Sequence, residues 1–145
     1  MAKSKSRLRV NRALGVAMNG NQNQQLIEAI LSGEKELLDY IADDGEWIIP
    51  GINSYKGKQE IIERLLQPLA QQMKSMGRKT VTNIMSDGDR VVVESFAQDR
   101  FTVENKPYNN TYCVVYQFYN NRIQRITEYC DTALVKETFG ELVNT

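Results

Sequence analysis

The stretch KPYNNTYCVVYQFYNNRIQRITEYCDTALV, residues 106–135, decides the fold. Apolar and polar side chains alternate over 108–119 and again over 122–130, which predicts two β-strands. Asn120-Asn121 lies between them, and asparagine is typical of tight turns because it tolerates positive φ. The two segments are therefore predicted to form an antiparallel hairpin.

The same period of two extends upstream of the hairpin. Residues 78–85 and 90–102 alternate as strands do, with turn signals at 86–89 and 104–107. These segments and the hairpin together predict a four-stranded antiparallel meander. After the meander, Asp131 is placed to cap a short closing helix over 132–139, which Gly140 would end.

Helical periodicity dominates the first half of the chain. Residues 22–42 carry apolar side chains at helical spacing with a break in the middle, which predicts a helical hairpin or a bent helix. A short strand is predicted over 46–49 and the clearest helix over 58–76, with Pro68 expected to kink or split it. Helices gathered before strands indicate an α+β fold, with the helices covering one face of a curved antiparallel sheet.

The composition is that of a single globular domain with a basic start. The 145 residues are 41% apolar and 25% charged, enough for one hydrophobic core. Basic and acidic side chains number 18 each, but five of the basic ones lie in residues 1–12 without an acid. We expect a flexible basic arm over 1–20 and one domain over 21–145, whose mildly acidic surface disfavours binding to nucleic acid.

The absence of certain residue types and of long apolar segments excludes several kinds of catalytic site and membrane segment. The sequence has no histidine, which excludes a Ser-His-Asp or Cys-His catalytic set and a histidine-ligated zinc site. Its two cysteines suggest neither a disulfide framework nor a metal site. No apolar run is long enough to span a membrane, and none follows the basic start as in a secretory signal. We expect a cytoplasmic protein that works without a metal or organic cofactor.

Strand alternation assigns an inner face to two strands and leaves the third open. The more apolar faces, which we predict to point inward, are Val91, Val93, Ser95, Ala97 and Asp99 in one strand, and Tyr108, Asn110, Tyr112, Val114, Tyr116 and Phe118 in the next. In the last strand either Ile126, Glu128 and Cys130 or the alternate set could face inward. Periodicity alone does not decide the direction of Glu128.

Three segments carry a resemblance to a known family. YIADDGEWIIPG (40–51), YKGKQEII (55–62) and the stretch 106–135 resemble the SnoaL-like branch of the nuclear transport factor 2-like superfamily. That superfamily also holds ketosteroid isomerases, limonene epoxide hydrolases and scytalone dehydratases. The likeness covers roughly residues 22–140. It implies a cone-shaped, cystatin-like sheet wrapped around helices, an enclosed apolar pocket, and a homodimer formed through the outer face of the sheet.

The resemblance also turns Glu128 inward and implies a pocket lining. The residues it places there are Trp47, Ile49, Ile61, Leu65, Ser95, Ala97, Asp99, Asn110, Tyr112, Val114, Ile126 and Cys130. The catalytic sets of two relatives are largely absent. The Arg and Asp of limonene epoxide hydrolase-like proteins correspond to Ser95 and Ala97, with only the third position kept as an acid, Glu128. The three ketosteroid isomerase positions correspond to Ile49, Ile27 and Val114, so both mechanisms are disfavoured.

Glu128 is the candidate catalytic residue. A carboxyl group in an apolar pocket has a raised pKa, which suits general acid or base catalysis. The alternative is a structural acid that pairs with Arg64 or a tyrosine. We expect a pocket for a small, mostly apolar molecule in a cofactor-independent isomerase, cyclase or dehydratase, with Tyr112, Trp47 and Asn110 orienting the ligand. The alternative function is a non-catalytic small-molecule-binding or interaction module on the same fold.

Overall fold

The computed structural model describes residues 18–143, with side chains over 22–140, so nearly all of the predicted basic arm lies outside the described residues. The helices are α1 (Met18–Leu31), α2, which consists of an α-helical turn (Lys58–Glu60), a π-helical stretch (Ile61–Leu66) and an α-helical end (Gln67–Gln72), and α3 (Thr132–Val143). The strands are β1 (Ile41–Ile49), β2 (Asn53–Lys56), β3 (Met73–Ser75), β4 (Arg78–Asp87), β5 (Arg90–Gln98), β6 (Phe101–Thr102), β7 (Thr111–Tyr119) and β8 (Arg122–Cys130).

Six strands form one curved sheet in the order β2-β1-β8-β7-β5-β4. Neighbouring strands are antiparallel except β1 and β8, which run parallel. The predicted meander is therefore confirmed as β4, β5, β7 and β8, and so is the α+β class with helices beside a curved sheet. Asn120 and Asn121 both have positive φ, as expected of the turn between β7 and β8.

The second half of the predicted helix over 22–42 is wrong. Only a short 3-10 turn, Leu37–Asp39, forms there, and β1 already begins at Ile41. Ile41 is buried opposite Ile123 of β8, and Ile123 N–H donates to Tyr40 O at 2.8 Å. The apolar spacing that indicated a helix instead supplies the buried start of a strand whose partner lies far along the chain.

Helix α2 departs from a regular helix ahead of Pro68. Proline has no N–H and its ring clashes with the carbonyl four residues earlier, so it cannot sit in a regular α-helix interior. The chain accommodates it by a π-helical stretch, closed by a hydrogen bond from Gln67 N–H to Ile62 O. The helix was predicted to reach residue 76 but ends at Gln72, because the next residues pair as β3 with β6.

The predicted strand over 90–102 breaks at Asp99. This residue has φ of 58°, a left-handed conformation that no regular strand contains, so β5 ends at Gln98 and β6 is a separate short strand. The predicted strand over 108–119 likewise starts later, at Thr111. Helix α3 has the predicted cap, in which Leu134 N–H donates to Asp131 Oδ1 at 3.2 Å. It continues past Gly140 to Val143, with a kink at Phe139.

The core lies inside the curve of the sheet. Ile27 of α1, Ile61 of α2 and Val91 of β5 are completely buried there. Ile123 and Ile126 of β8 complete this layer, because an extra residue between them lets both point inward. No helix in the described part of the chain has the length and apolar character that crossing a membrane requires.

Candidate active site

A cavity of about 220 Å³ opens between the inner face of the sheet and helices α2 and α3. This volume is below the roughly 300–1,000 Å³ typical of pockets for drug-sized ligands, so the cavity suits a small molecule. Its walls are mostly aliphatic and aromatic, with a few ionisable groups. The lining residues are Trp47, Ile49, Ile52, Tyr55, Arg64, Leu65, Leu66, Pro68, Leu69, Met76, Lys79, Arg100, Tyr108, Tyr112, Glu128, Cys130, Val135 and Phe139.

Glu128 points into this cavity from β8. It lies opposite the buried Val114 of β7, on the inner face of the sheet. Trp47 Nε1–H donates to its Oε1 at 3.2 Å. The contact exists because β1 runs beside β8 in parallel, with Trp47 level with Ile126. Trp47 therefore orients the carboxyl group from the neighbouring strand.

The surroundings of Glu128 favour its protonated form. Burial raises the pKa of Glu128, and the charge of Lys79, the Trp47 hydrogen bond and the charge of Arg100 offset part of that increase. Among the described residues no cation lies within 4.0 Å of the carboxylate. Arg64, a partner considered from the sequence, pairs with Glu60 at 3.0 Å. Within the described residues Glu128 is therefore a partly buried acid without an ion pair.

Arg100 reaches the cavity because Asp99 interrupts the strand alternation. The left-handed Asp99 turns its own side chain outward, where it pairs with Arg78 at 3.0 Å, and brings Arg100 to the inner side. Arg100 Nε–H donates to Met76 O at 2.9 Å, and its Nη1–H donates to Tyr112 Oη at 3.1 Å. The guanidinium group is thus fixed at two points beside the cavity.

Lys79 approaches the same tyrosine from the edge strand β4. It lies opposite Ala97 on the inner face, and its Nζ is 4.5 Å from the centroid of the Tyr112 ring. Lys79 is an exposed residue that also lines the cavity, where its ammonium group lies over the Tyr112 ring. Burial of that end lowers the pKa of Lys79, Glu128 raises it and Arg100 lowers it again. Two cationic groups, Lys79 and Arg100, therefore lie close to Tyr112.

Tyr112 and its neighbours remain neutral hydroxyl groups. Burial raises the pKa of Tyr112 strongly, and the nearby Tyr108 adds to the increase.

Asn110 Nδ2–H donates to Tyr108 Oη at 3.2 Å and to Asp131 O at 3.1 Å. The side-chain carbonyl oxygen of Asn110, Oδ1, accepts from the backbone N–H groups of Thr111 and Asp131, at 2.8 and 3.0 Å. Asn110 therefore holds β7 to the start of α3, and its groups are used in the fold.

The structure brings together about half of the residues that the resemblance implied for the pocket. Trp47, Ile49, Leu65, Tyr112 and Cys130 line the cavity with Glu128. The others do not line it: Ile61, Ser95, Ala97, Asn110, Val114 and Ile126 are buried in the core beneath it, and Asp99 is exposed. The apolar ones among them pack against one another in the hydrophobic core inside the curved sheet. Ser95 is buried there with an Oγ that finds no hydrogen-bond partner among the described residues.

Sequence reasoning missed the two cations of the site. Strict alternation put Arg100 on the outer face, and no face was assigned to the strand that carries Lys79. It also missed Tyr55, a buried residue of β2 whose ring lies 5.5 Å from Arg64 Cζ. A signal for Arg100 was available, since aspartate is among the residues that tolerate positive φ, and an Asp at a strand end can reset the alternation.

Cys130 lines the cavity as a thiol of low reactivity. Burial raises the pKa of Cys130 to about 11, with Glu128 and Asp131 contributing. Because the thiolate is the reactive form, this cysteine is not poised as a nucleophile. Within the part of the chain that the structure describes, no cluster of three or more cysteine or acidic side chains is arranged to hold a metal ion.

Solved structures similar to this one share its fold. A nuclear transport factor 2-like protein of unknown function from Cytophaga hutchinsonii is 25% identical, with a TM-score of 0.58, covering 77% of this chain and 98% of that chain. A candidate isomerase from Bacillus subtilis is 23% identical, with a TM-score of 0.57 and coverage of 78% and 86%. TerC, co-crystallised with polyporic acid, is 20% identical, with a TM-score of 0.58 and coverage of 83% and 97%.

The sequence itself identifies the family. No curated protein matched the chain significantly. The model of the SnoaL-like domain matches residues 24–126, which include most of the helices and the sheet up to the middle of β8. With the curved six-stranded sheet and the nuclear transport factor 2-like neighbours, this match means that the chain belongs to the SnoaL-like domain family.

Proposed function

We propose that this protein binds a small, mostly apolar molecule and transfers a proton at a carbon next to a carbonyl group, with Glu128 as the general base and acid. Isomerisation, aldol-type cyclisation and dehydration all include such a step. One observation carries the proposal, the Glu128 carboxyl group at the wall of an apolar cavity with a single hydrogen-bond donor, Trp47, among the described residues.

The environment of Glu128 suits it to this role. A carboxyl group is a more effective acid and base near neutral pH when its pKa is raised toward that pH, and burial raises the pKa of Glu128 in this direction. The missing ion pair matters as well. A carboxylate held against a cation would be a weaker base, because the cation stabilises its charged form.

Tyr112 and Arg100 provide the complementary half of the chemistry. Removing a proton next to a carbonyl places negative charge on its oxygen, and fixed donors near that oxygen lower the barrier. Tyr112 lies opposite Cys130, two residues from Glu128 on the same inner face, so the hydroxyl and the carboxyl line one cavity. Arg100 holds the Tyr112 oxygen through an N–H, which makes that hydroxyl a better donor.

Similar proteins support the proposal without deciding the substrate. The neighbour from Bacillus subtilis is a candidate isomerase, and TerC was co-crystallised with polyporic acid. The second candidate, a binding module without catalysis, is favoured by Ser95 and Ala97, which stand where epoxide-hydrolysing relatives carry Arg and Asp.

Hydrogen exchange at carbon tests the proposal. The probes are phenylacetone and phenylpyruvate, which share a phenyl ring and a methylene group next to a ketone. Exchange of the methylene protons in D₂O is followed by NMR against a buffer blank. We expect the protein to accelerate exchange of at least one probe, and Glu128→Gln to reduce that acceleration by about a hundredfold or more.

The matched control is Glu94→Gln, which removes an exposed carboxyl group from the outer face of the sheet. It should leave the exchange rate unchanged. If Glu128→Gln retains the wild-type rate, Glu128 is not the base. If wild-type protein accelerates neither probe but retains a small molecule in native mass spectrometry, and Glu128→Gln retains it equally, the binding module is the better assignment.

A further inference from the structure

Lys79 and Arg100 are two cations at an apolar cavity without a carboxylate partner. Within residues 22–140, no carboxylate oxygen lies within 4.0 Å of either, whereas the exposed Arg78 and Arg125 pair with Asp99 and Glu46. An unpaired cation that is partly removed from water is unfavourable, and proteins usually pair such groups. A ligand that brings a negative charge would complete the site.

Both cations lie close to the same aromatic ring. Lys79 Nζ is 4.5 Å and Arg100 Cζ is 5.9 Å from the centroid of the same Tyr112 ring. Arg100 uses Nε and Nη1 for Met76 O and Tyr112 Oη, and in the described part of the chain its Nη2 donates no hydrogen bond. An anion near Tyr112 would therefore meet a fixed guanidinium donor and a mobile ammonium group.

The backbone is distorted in a way that places Arg100 there. Asp99 adopts a left-handed conformation, which costs free energy for a residue with a side chain, although less for aspartate than for most. Gly77 packs so closely against this segment that a Cβ at that position would lie 2.0 Å from Gln98 O. Ser75 Oγ–H donates to Asp99 O at 3.0 Å and also fixes this segment. Such strain is typically retained where it orients a functional group.

We propose that the cavity recognises a small organic monoanion, an aromatic or aliphatic carboxylate whose charge binds to Arg100 and Lys79 while its apolar body lies between helix α2 and helix α3. This inference rests on the proposed function, which identifies this cavity as the binding site, and it adds the chemical class of the substrate. Charge balance favours a monoanion when Glu128 is ionised, as its role as general base requires. The two cations and the Glu128 carboxylate then leave one positive charge, which a single carboxylate neutralises.

The binding test uses 2-naphthoate and 2-naphthamide, which have the same bicyclic body and differ in charge. Affinities for the full chain are measured by isothermal titration calorimetry at low salt. We expect 2-naphthoate to bind about tenfold to a hundredfold more tightly than 2-naphthamide, as hydrogen bonds to charged groups suggest. Equal affinities, or tighter binding of the amide, would overturn the proposal.

Variants assign the effect to the two cations. Lys79→Gln should weaken 2-naphthoate binding about fivefold or more and leave 2-naphthamide binding unchanged. Arg100→Gln should weaken 2-naphthoate binding further, with Arg100→Lys recovering part of the loss. Because Arg100 also supports the fold, Lys79→Gln keeps the proposal testable if Arg100→Gln does not fold. The control, Lys106→Gln, removes an exposed cation that pairs with Glu104 and should change neither affinity.

The two proposals fail in different ways. Glu128→Gln should abolish proton exchange yet bind 2-naphthoate at least as tightly as wild type, because it removes a negative charge from the cavity. If Glu128→Gln keeps its exchange activity, the catalytic role is wrong and the anion site stands. If Lys79→Gln and Arg100→Gln bind 2-naphthoate like the control, the anion site is wrong, whatever happens to exchange.

Discussion

Burial of the Glu128 carboxyl group opposes its ionisation. Folding takes its carboxyl group out of water, and the Trp47 N–H and the fields of Lys79 and Arg100 compensate only in part, so the pKa of Glu128 stays raised. A group with a higher pKa in the folded state binds protons more tightly there. Ionising it therefore costs folding free energy, beginning as the pH rises through its unfolded pKa of about 4.3 and completed above its folded pKa.

Glu128→Gln should thus stabilise the protein in a pH-dependent way. The amide resembles the protonated acid, so the melting temperatures of variant and wild type should lie close together at pH 4.5 and diverge toward pH 8. There we expect the variant to melt above wild type, because the folded protein pays the cost of ionising a carboxyl group whose pKa burial has raised, and the amide carries no such cost. Differential scanning calorimetry across this range measures the gap.

Glu94→Gln controls for the loss of a carboxylate as such. Glu94 is exposed and accepts a hydrogen bond from Asn83 at 3.1 Å, so its substitution should change the melting temperature at pH 8 less than Glu128→Gln does. A gap for Glu128→Gln that stays constant, or shrinks, between pH 4.5 and 8 would show that Glu128 is ionised without cost in the folded protein.

At the scale of single residues, the sequence predicted the acid of the site but not its cations. The direction of Glu128 came from the resemblance, since alternation left it open. Arg100 was missed because alternation assumes an unbroken strand, and one left-handed residue, Asp99, reverses the phase after it. Whether Asp99 adopts that conformation depends on Gly77 and Ser75, which approach it only in the folded chain.

The short strands β3 and β6 and the turn at Gly77 act as one structural unit that positions Arg100. Met73 pairs with Thr102 across the two strands, and Arg100 Nε–H reaches back to Met76 O. Gly77 has φ of 57°. A Cβ added at this position would lie 2.0–2.6 Å from backbone atoms of Gln98 and Asp99. The carbonyl groups it faces belong to the backbone and cannot rotate away as a flexible side chain could.

Gly77→Ala should therefore disturb both stability and the site. A left-handed alanine alone costs about 1–2 kcal/mol, and the clash adds to it. Gly88→Ala is the matched control, because Gly88 has nearly the same φ, 58°, with nothing within 4 Å of a Cβ. We expect Gly77→Ala to lower the melting temperature more than Gly88→Ala, and it alone to weaken 2-naphthoate binding. Equal losses for the two variants would contradict this role of Gly77.

Elements with local signals were predicted better than those that depend on distant partners. Pro68 indicated an irregular helix, and the structure contains a π-helical stretch before it. The last residues of that stretch, Arg64, Leu65 and Leu66, all line the cavity. The segment 37–42 has apolar residues at helical spacing, but it forms a short 3-10 turn and then the start of β1. That outcome depends on pairing with β8, some eighty residues later, which no local pattern reveals.

The sheet has an inner face that borders the cavity and an outer face with its own apolar surface. On the outer face Met85, Val92 and Val115 lie in one row across three strands. Val92 and Val115 are half-buried, while Met85 and the nearby Tyr129 are each 50% exposed. Apolar side chains that lie together on a solvent-facing sheet are typical of a contact surface.

At this scale we propose that two copies of the chain pair through the outer sheet face, as the family resemblance implies. Val115→Glu places a charge at the centre of the apolar row and should convert a dimer to a monomer, because two buried carboxylates would face each other across the interface. Gln67→Glu adds the same charge on an exposed position of α2 and should leave the dimer intact. Light scattering coupled to size-exclusion chromatography distinguishes the two masses. A wild-type protein that is monomeric at all concentrations, or a Val115→Glu protein that folds and stays dimeric, would exclude this interface.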